Sequence, residues 1–287
     1  MTARRLSPAL MAVIAAVLWG LWWMPIRTLE SLGLSGAWGS FMMNAGAAGA
    51  AALGMVLLRI SPRIAIKTAL GAALVGVAVS TYSIALTHGD VVRIVLLFYL
   101  APAWSKIIEW AFMGQGWGWA SSFTLLASLA GAYLVLGGQI SLAAFNLGDT
   151  LALLSGVAWS SGAALIFTGG RANPVALSFI TALSAMVIGL GFIRAGQGQA
   201  FSTGGIWVGA GFGVIYVLPI LALTLWSAQR LSPAVITFLL TAEILSGVIT
   251  AALFLDEPFG LMQAGGAGLI VVAAMAEVLK SFRVSSP

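Results

Sequence analysis

The chain has 287 residues, of which 61% are hydrophobic and only 7% charged, against roughly 25% charged in an ordinary soluble domain. So few charges cannot cover a soluble particle of this size, and the chain reads as an all-α polytopic membrane protein. The net charge of +5 comes from single basic residues in short loops rather than from a cluster, which excludes a nucleic-acid partner; the absence of cysteine excludes disulfides and thiol chemistry.

A membrane-crossing helix needs roughly 20 mostly apolar residues. Cutting at Gly, Pro and charge clusters predicts ten such spans, at 8–28, 36–58, 68–87, 93–113, 118–138, 149–169, 174–194, 204–228, 233–253 and 260–279. The first follows Arg4 and Arg5 and imitates a secretory signal. It has no A-x-A cleavage site in the first thirty residues, so it is expected to be retained. It carries Trp19, Trp22 and Trp23, which share a helical face at spacings of three and four. Asn44 lies inside the second span, and Ser80, Tyr82 and Ser83 in the third. His88 and Asp90 follow in a loop and read as solvated.

The fourth span holds YLAPAWSKIIEW, with Tyr99, Pro102, Trp104, Lys106 and Glu109. Pro102 removes a backbone hydrogen bond in mid-span and predicts a kink, as Pro219 does in the eighth. The sixth span carries Trp159, Ser160 and Ser161, and the ninth Glu243. On the eighth, Gly205, Gly209 and Gly213 recur every fourth residue, a face that lets helices approach closely. Trp38, Trp117, Trp119 and Trp207 fall near span ends and fit an interfacial belt.

Ten spans put both termini on one side. With the N-terminus inside, inner segments hold Arg4, Arg5, Arg59, Arg63, Lys67, Arg171, Arg230, Lys280 and Arg283, nine of the thirteen basic residues. The positive-inside rule then places both termini in the cytoplasm of a cell inner (plasma) membrane protein.

The sequence also repeats. AVIAAVLWGLWWMPIRT (12–28) aligns with ALLSGVAWSSGAALIFT (152–168) at an offset of 140, matching Trp19 to Trp159. LLFYLAPAWSKIIEWAFMGQ (96–115) aligns with FLLTAEILSGVITAALFLDE (238–257) at an offset of 142. Two five-span halves, residues 1–140 and 141–287, must have opposite orientation because five is odd. Inverted repeats with a midplane site are the architecture of alternating-access carriers.

On these residues the halves resemble the paired EamA repeats of the drug/metabolite transporter superfamily. In that family the fourth helix of a repeat often carries a proline and, near its end, a glutamate. Here the first copy has Pro102 but Gln115, and the second has Glu257 but Ile244. TYSIALTHGDVVRIVLLFYLAPAW (81–104) and the tryptophan-rich first span are most similar to YddG-type aromatic amino-acid exporters. The resemblance implies spans one to four and six to nine around a central cavity, with five and ten peripheral.

Ionisable groups inside a bilayer are costly, by roughly 2.5–3.5 kcal/mol on insertion scales, and face partners or water. Lys106 can pair with Glu109 on its own helix or with Glu243 across the repeat interface, and Glu109 can snorkel to the nearby interface. The expected substrate-binding residues are Trp19, Asn44, Ser80, Tyr82, Ser83, Tyr99, Pro102, Lys106, Trp159, Ser160 and Glu243. Lys106 is expected to face the cavity on one stripe with Tyr99 and Pro102. Aromatic walls with a Lys and a Glu suit a neutral zwitterion with a bulky apolar side chain, moved outward. One histidine, no cysteine and no H-E-x-x-H argue against an enzyme, and no cofactor or metal is expected. No ring of like charges suggests a channel. The alternative is a proton-coupled exporter of drugs or other small metabolites.

Overall fold

The structure is a computed structural model, and it describes residues 7–34, 37–88, 91–135, 145–194, 203–255 and 260–284. Arg4, Arg5, Asp90 and Glu257 lie outside the described residues. Every regular element described is helical. Seven helical stretches are long and apolar enough to cross a membrane: 8–31, 37–57, 66–85, 93–112, 147–168, 174–194 and 203–228. Shorter apolar helices lie at 119–135, 233–247 and 261–273, where the fifth, ninth and tenth spans are expected. The chain is therefore a polytopic membrane protein.

Three of the expected spans are each built from two helices. The first is α1 (Pro8–Gly20) and α2 (Trp23–Ser31), followed by α3 (Ala37–Leu57) and α4 (Ile66–Ala85). The fourth is α5 (Val91–Phe98) and α6 (Ala101–Phe112), and α7 is Trp119–Val135. The sixth and seventh are α8 (Leu147–Thr168) and α9 (Pro174–Arg194). The eighth runs as α10 (Thr203–Phe212), a π-helical turn Gly213–Val217, and α11 (Leu218–Ala228). The ninth is α12 (Pro233–Leu240) and α13 (Ala242–Leu255), and α14 is Leu261–Val284.

Each interruption has a local cause. Pro102 stands in the first turn of α6, where its missing N–H costs nothing, so the chain breaks at Tyr99–Leu100 instead of bending inside one helix. The π turn precedes Pro219, and the extra residue per turn relieves the clash of its ring with the preceding carbonyls. Thr241 interrupts the ninth span without a proline: its hydroxyl donates to the Phe238 carbonyl at 2.6 Å, competing with the backbone ladder. The first span breaks at Leu21–Trp22, so Trp19, Trp22 and Trp23 do not form one continuous helical stripe. The carbonyls before that break are held by other spans: Ser246 donates to Val17 O at 3.0 Å, and the Tyr216 hydroxyl donates to Leu18 O.

Starts are set more conventionally. Asn146 and Asp149 form a capping box at α8, with reciprocal bonds of 3.0 and 2.8 Å. The Asp149 carboxylate also pairs with Arg93 at 2.9 Å, tying α5 to α8.

In lipid, helices associate through close packing of small residues and through interhelical hydroxyl bonds. Gly71 and Gly162 join α4 to α8 so tightly that a Cβ on either would stand 2.7 Å from the other's carbonyl oxygen. Gly131 and Gly266 join α7 to α14 in the same reciprocal way. Gly205, Gly209 and Gly213 all face α3 or the segment leading into it, meeting Leu34, Met42 and Met43. Ser155 donates to Ala78 O at 2.8 Å, and Thr181 to Ala72 O at 2.9 Å, adding polar ties among α4, α8 and α9. Among the described residues, α7 and α14 pack mainly on each other, and beyond that chiefly on the fourth and ninth spans. Their outward residues, among them Trp119, Phe123, Leu126 and Leu261, are exposed and apolar, as a lipid-facing surface requires.

Candidate substrate cavity

The three broken spans meet at one place. Trp22, Tyr99 and Thr241, each at a break, line a cavity of about 460 Å³, within the usual range for a small-molecule site. Its walls come from spans one to four, six and nine. Among the described lining residues none belongs to α9, α10 or α11, which stand behind the wall and brace spans one, two and three.

The cavity opens beside the ends of α2 and α4, where exposed Arg27, Glu30 and Thr87 line it. Its floor is Pro102, Trp159 and Thr237. Here the Thr237 hydroxyl accepts from Trp159 Nε1 at 3.0 Å and meets Ser105 Oγ at 3.0 Å, knitting spans four, six and nine. Beyond this layer, Lys106 Nζ pairs with Glu109 Oε2 at 3.1 Å, and Glu109 Oε1 accepts the Ala234 backbone N–H at 2.8 Å. Glu109 thus satisfies an orphan donor at the N-terminus of α12, where a carboxylate is favoured. Gln229 Oε1 accepts from Ala172 N at 2.7 Å, joining the two neighbouring loops at this closed end.

Glu243 stands on the wall in the first turn of α13. Its Oε1 accepts the Tyr99 hydroxyl at 2.5 Å. Aromatic rings continue on both sides. Trp19 lies 5.1 Å from Trp22, which lies 5.9 Å from Tyr216; Tyr82 lies 4.6 Å from Phe98, which lies 5.6 Å from Tyr99. Trp19 Nε1 is fixed by Thr224 Oγ1 at 3.1 Å, and Trp23 Nε1 by Thr250 Oγ1 at 3.1 Å.

Of the residues expected from the sequence, Trp19, Tyr82, Ser83, Tyr99, Pro102, Trp159 and Glu243 line this cavity. The other four lie elsewhere. Asn44 donates to Ser40 O at 2.8 Å within α3, and Ser80 is fully buried between helices. Ser160 donates to Ala101 O at 2.9 Å, bonding α8 to the break in the fourth span. Lys106 is not among the lining residues: it is buried at the closed end with Glu109, and no bond joins it to Glu243. Glu109 is likewise buried rather than snorkelling. Sequence reasoning missed Trp22, Phe98, Thr237 and Thr241 as wall residues. The offset of 142 carries the signal for Thr241, because it is the counterpart of Tyr99 at the other break.

Residues 146–277 match the model of the EamA-like transporter family. No curated protein matches the chain in sequence. A solved crystal structure shares the fold, with a TM-score of 0.76 at 15% identity, over 97% of this chain and 99% of that one.

Proposed function

We propose that the protein is a ten-span carrier that exports neutral amino acids, aromatic ones foremost, by alternating access between two inverted five-span halves. The observation that carries this reading is the cavity: closed at one end, open at the other, and walled by aromatic rings around Glu243. Two further features support it. The principal packing pairs are unchanged when each span is exchanged for the one five later: three–six with one–eight, three–seven with two–eight, one–nine with four–six, and two–seven, four–nine and five–ten with themselves. That is the contact pattern of a two-fold related pair, and with five spans per half the two-fold axis lies in the membrane plane. With the termini cytoplasmic, the open end faces outward and the Lys106–Glu109–Ala234 knot closes the cytoplasmic route.

In this reading the substrate ammonium sits on Glu243 beside Tyr99, and its side chain lies against Trp19, Phe98 and Trp159. The carboxylate points to the open end, where Arg27 lines the mouth. Flux of labelled phenylalanine in proteoliposomes tests the proposal. A carrier gives saturable flux that is accelerated by unlabelled phenylalanine on the opposite side. Flux that rises linearly with concentration, or none for any amino acid in a panel, defeats it.

A further inference from the structure

Both charged groups of an amino acid need a partner, and the cavity provides for them unequally. Among the described lining residues, Glu243 is the carboxylate set among the aromatic rings, and the nearest approach to a cation is Arg27 at the mouth. Arg27 is solvent-exposed, leans over the Trp23 ring at 5.7 Å, and has exposed Glu30 three residues further along the same helix. A water-exposed guanidinium with a carboxylate close by attracts an anion only weakly. Lys106, the other cation that could serve, is buried below the floor and engaged with Glu109.

The cation side is far better built. Tyr99 holds one Glu243 oxygen at 2.5 Å, while the other has no hydrogen-bond donor among the described residues. A protonated primary amine supplies N–H donors to that oxygen. Trp22, Tyr82, Phe98 and Tyr99 line the same cavity as Glu243, and aromatic rings attract an ammonium.

We infer that the cavity recognises the ammonium group and the aromatic body but not the carboxylate, so that primary aromatic amines lacking a carboxylate are ligands of the same site. This deepens the amino-acid reading and rests on the same cavity. It extends the substrate class from zwitterions to monocations.

The test uses the purified full chain and four probes: phenethylamine, phenylalanine, 3-phenylpropionate, and the deaminated and decarboxylated ethylbenzene. Binding is read by titration calorimetry and by the shift in melting temperature. Phenethylamine is expected to bind within threefold of phenylalanine or more tightly, and 3-phenylpropionate and ethylbenzene at least tenfold more weakly than phenethylamine. Glu243→Gln, which keeps shape and hydrogen bonding to Tyr99, should weaken phenethylamine at least tenfold. If that variant does not fold, the four-probe ranking on the unaltered chain still decides. Phenethylamine binding tenfold more weakly than phenylalanine, or 3-phenylpropionate binding as well as phenethylamine, overturns the inference. The two readings fail differently: phenethylamine bound and carried with no phenylalanine flux defeats the amino-acid reading alone, whereas phenylalanine carried with phenethylamine excluded defeats the inference alone.

Discussion

Lys106 and Glu109 show what a single residue's neighbours decide. Their spacing of three makes a pair legible in the sequence, and the pair forms at 3.1 Å. What the sequence could not reveal is that Glu109 also accepts the Ala234 N–H, because that partner lies 125 residues away and is met only when spans four and nine close on each other. Lys106→Met would leave a buried carboxylate without its cation, at a cost of about 3–5 kcal/mol. A clear drop in melting temperature in detergent is expected, with partial recovery in Lys106→Met/Glu109→Leu. The double change removes the uncompensated charge but leaves the Ala234 N–H unpaired. A native melting temperature in the single variant would refute this account of the knot. Glu243 was equally visible as an acid in mid-membrane, while its tyrosine partner depended on the fold. On the aromatic wall, Trp19→Ala or Trp159→Ala should reduce transport of phenylalanine at least tenfold while that of alanine falls less than threefold. Equal losses for both substrates would mean general damage.

Helices and their breaks are the next scale. Apolar length and bounding Gly and Pro placed the expected spans within a few residues of the observed helices, because in lipid the backbone must satisfy itself and little else can form. Pro102 announced the break in the fourth span. The break at Thr241 was silent, since a threonine bonds its own backbone in many helices without interrupting them. Glycine spacing on the eighth span pointed to close packing but not to its partner. The close crossing of α4 on α8 through Gly71 and Gly162 involves glycines with no such repeat. Gly162→Val would drive its side chain into the Gly71 carbonyl and should destabilise the protein by about 1–3 kcal/mol. Gly191→Val, at a site with nothing within 4 Å, should leave the melting temperature unchanged. Similar melting of both variants would contradict the packing described.

For the whole molecule, the proposed orientation rests on basic-residue asymmetry and the proposed inverted halves on the repeat offsets. The cavity was not legible as a whole: Asn44, Ser80 and Ser160 look like pocket residues by polarity, but helix packing uses them for bonds or burial between spans. Ser31→Cys and Ala65→Cys, placed singly in a chain free of cysteine, should label from opposite sides of the membrane; labelling of both from one side would overturn the topology. The central claim is that one cavity opens alternately to the two sides and holds the substrate. Ser83→Cys tests it most directly, because Ser83 lines the cavity on a span whose packing a sulfur for oxygen exchange barely disturbs. With a membrane-impermeant thiol reagent and vesicles of each orientation, labelling is expected from both faces, and excess phenylalanine should slow it on both. Labelling from one face only, at a rate phenylalanine does not change, would contradict the account.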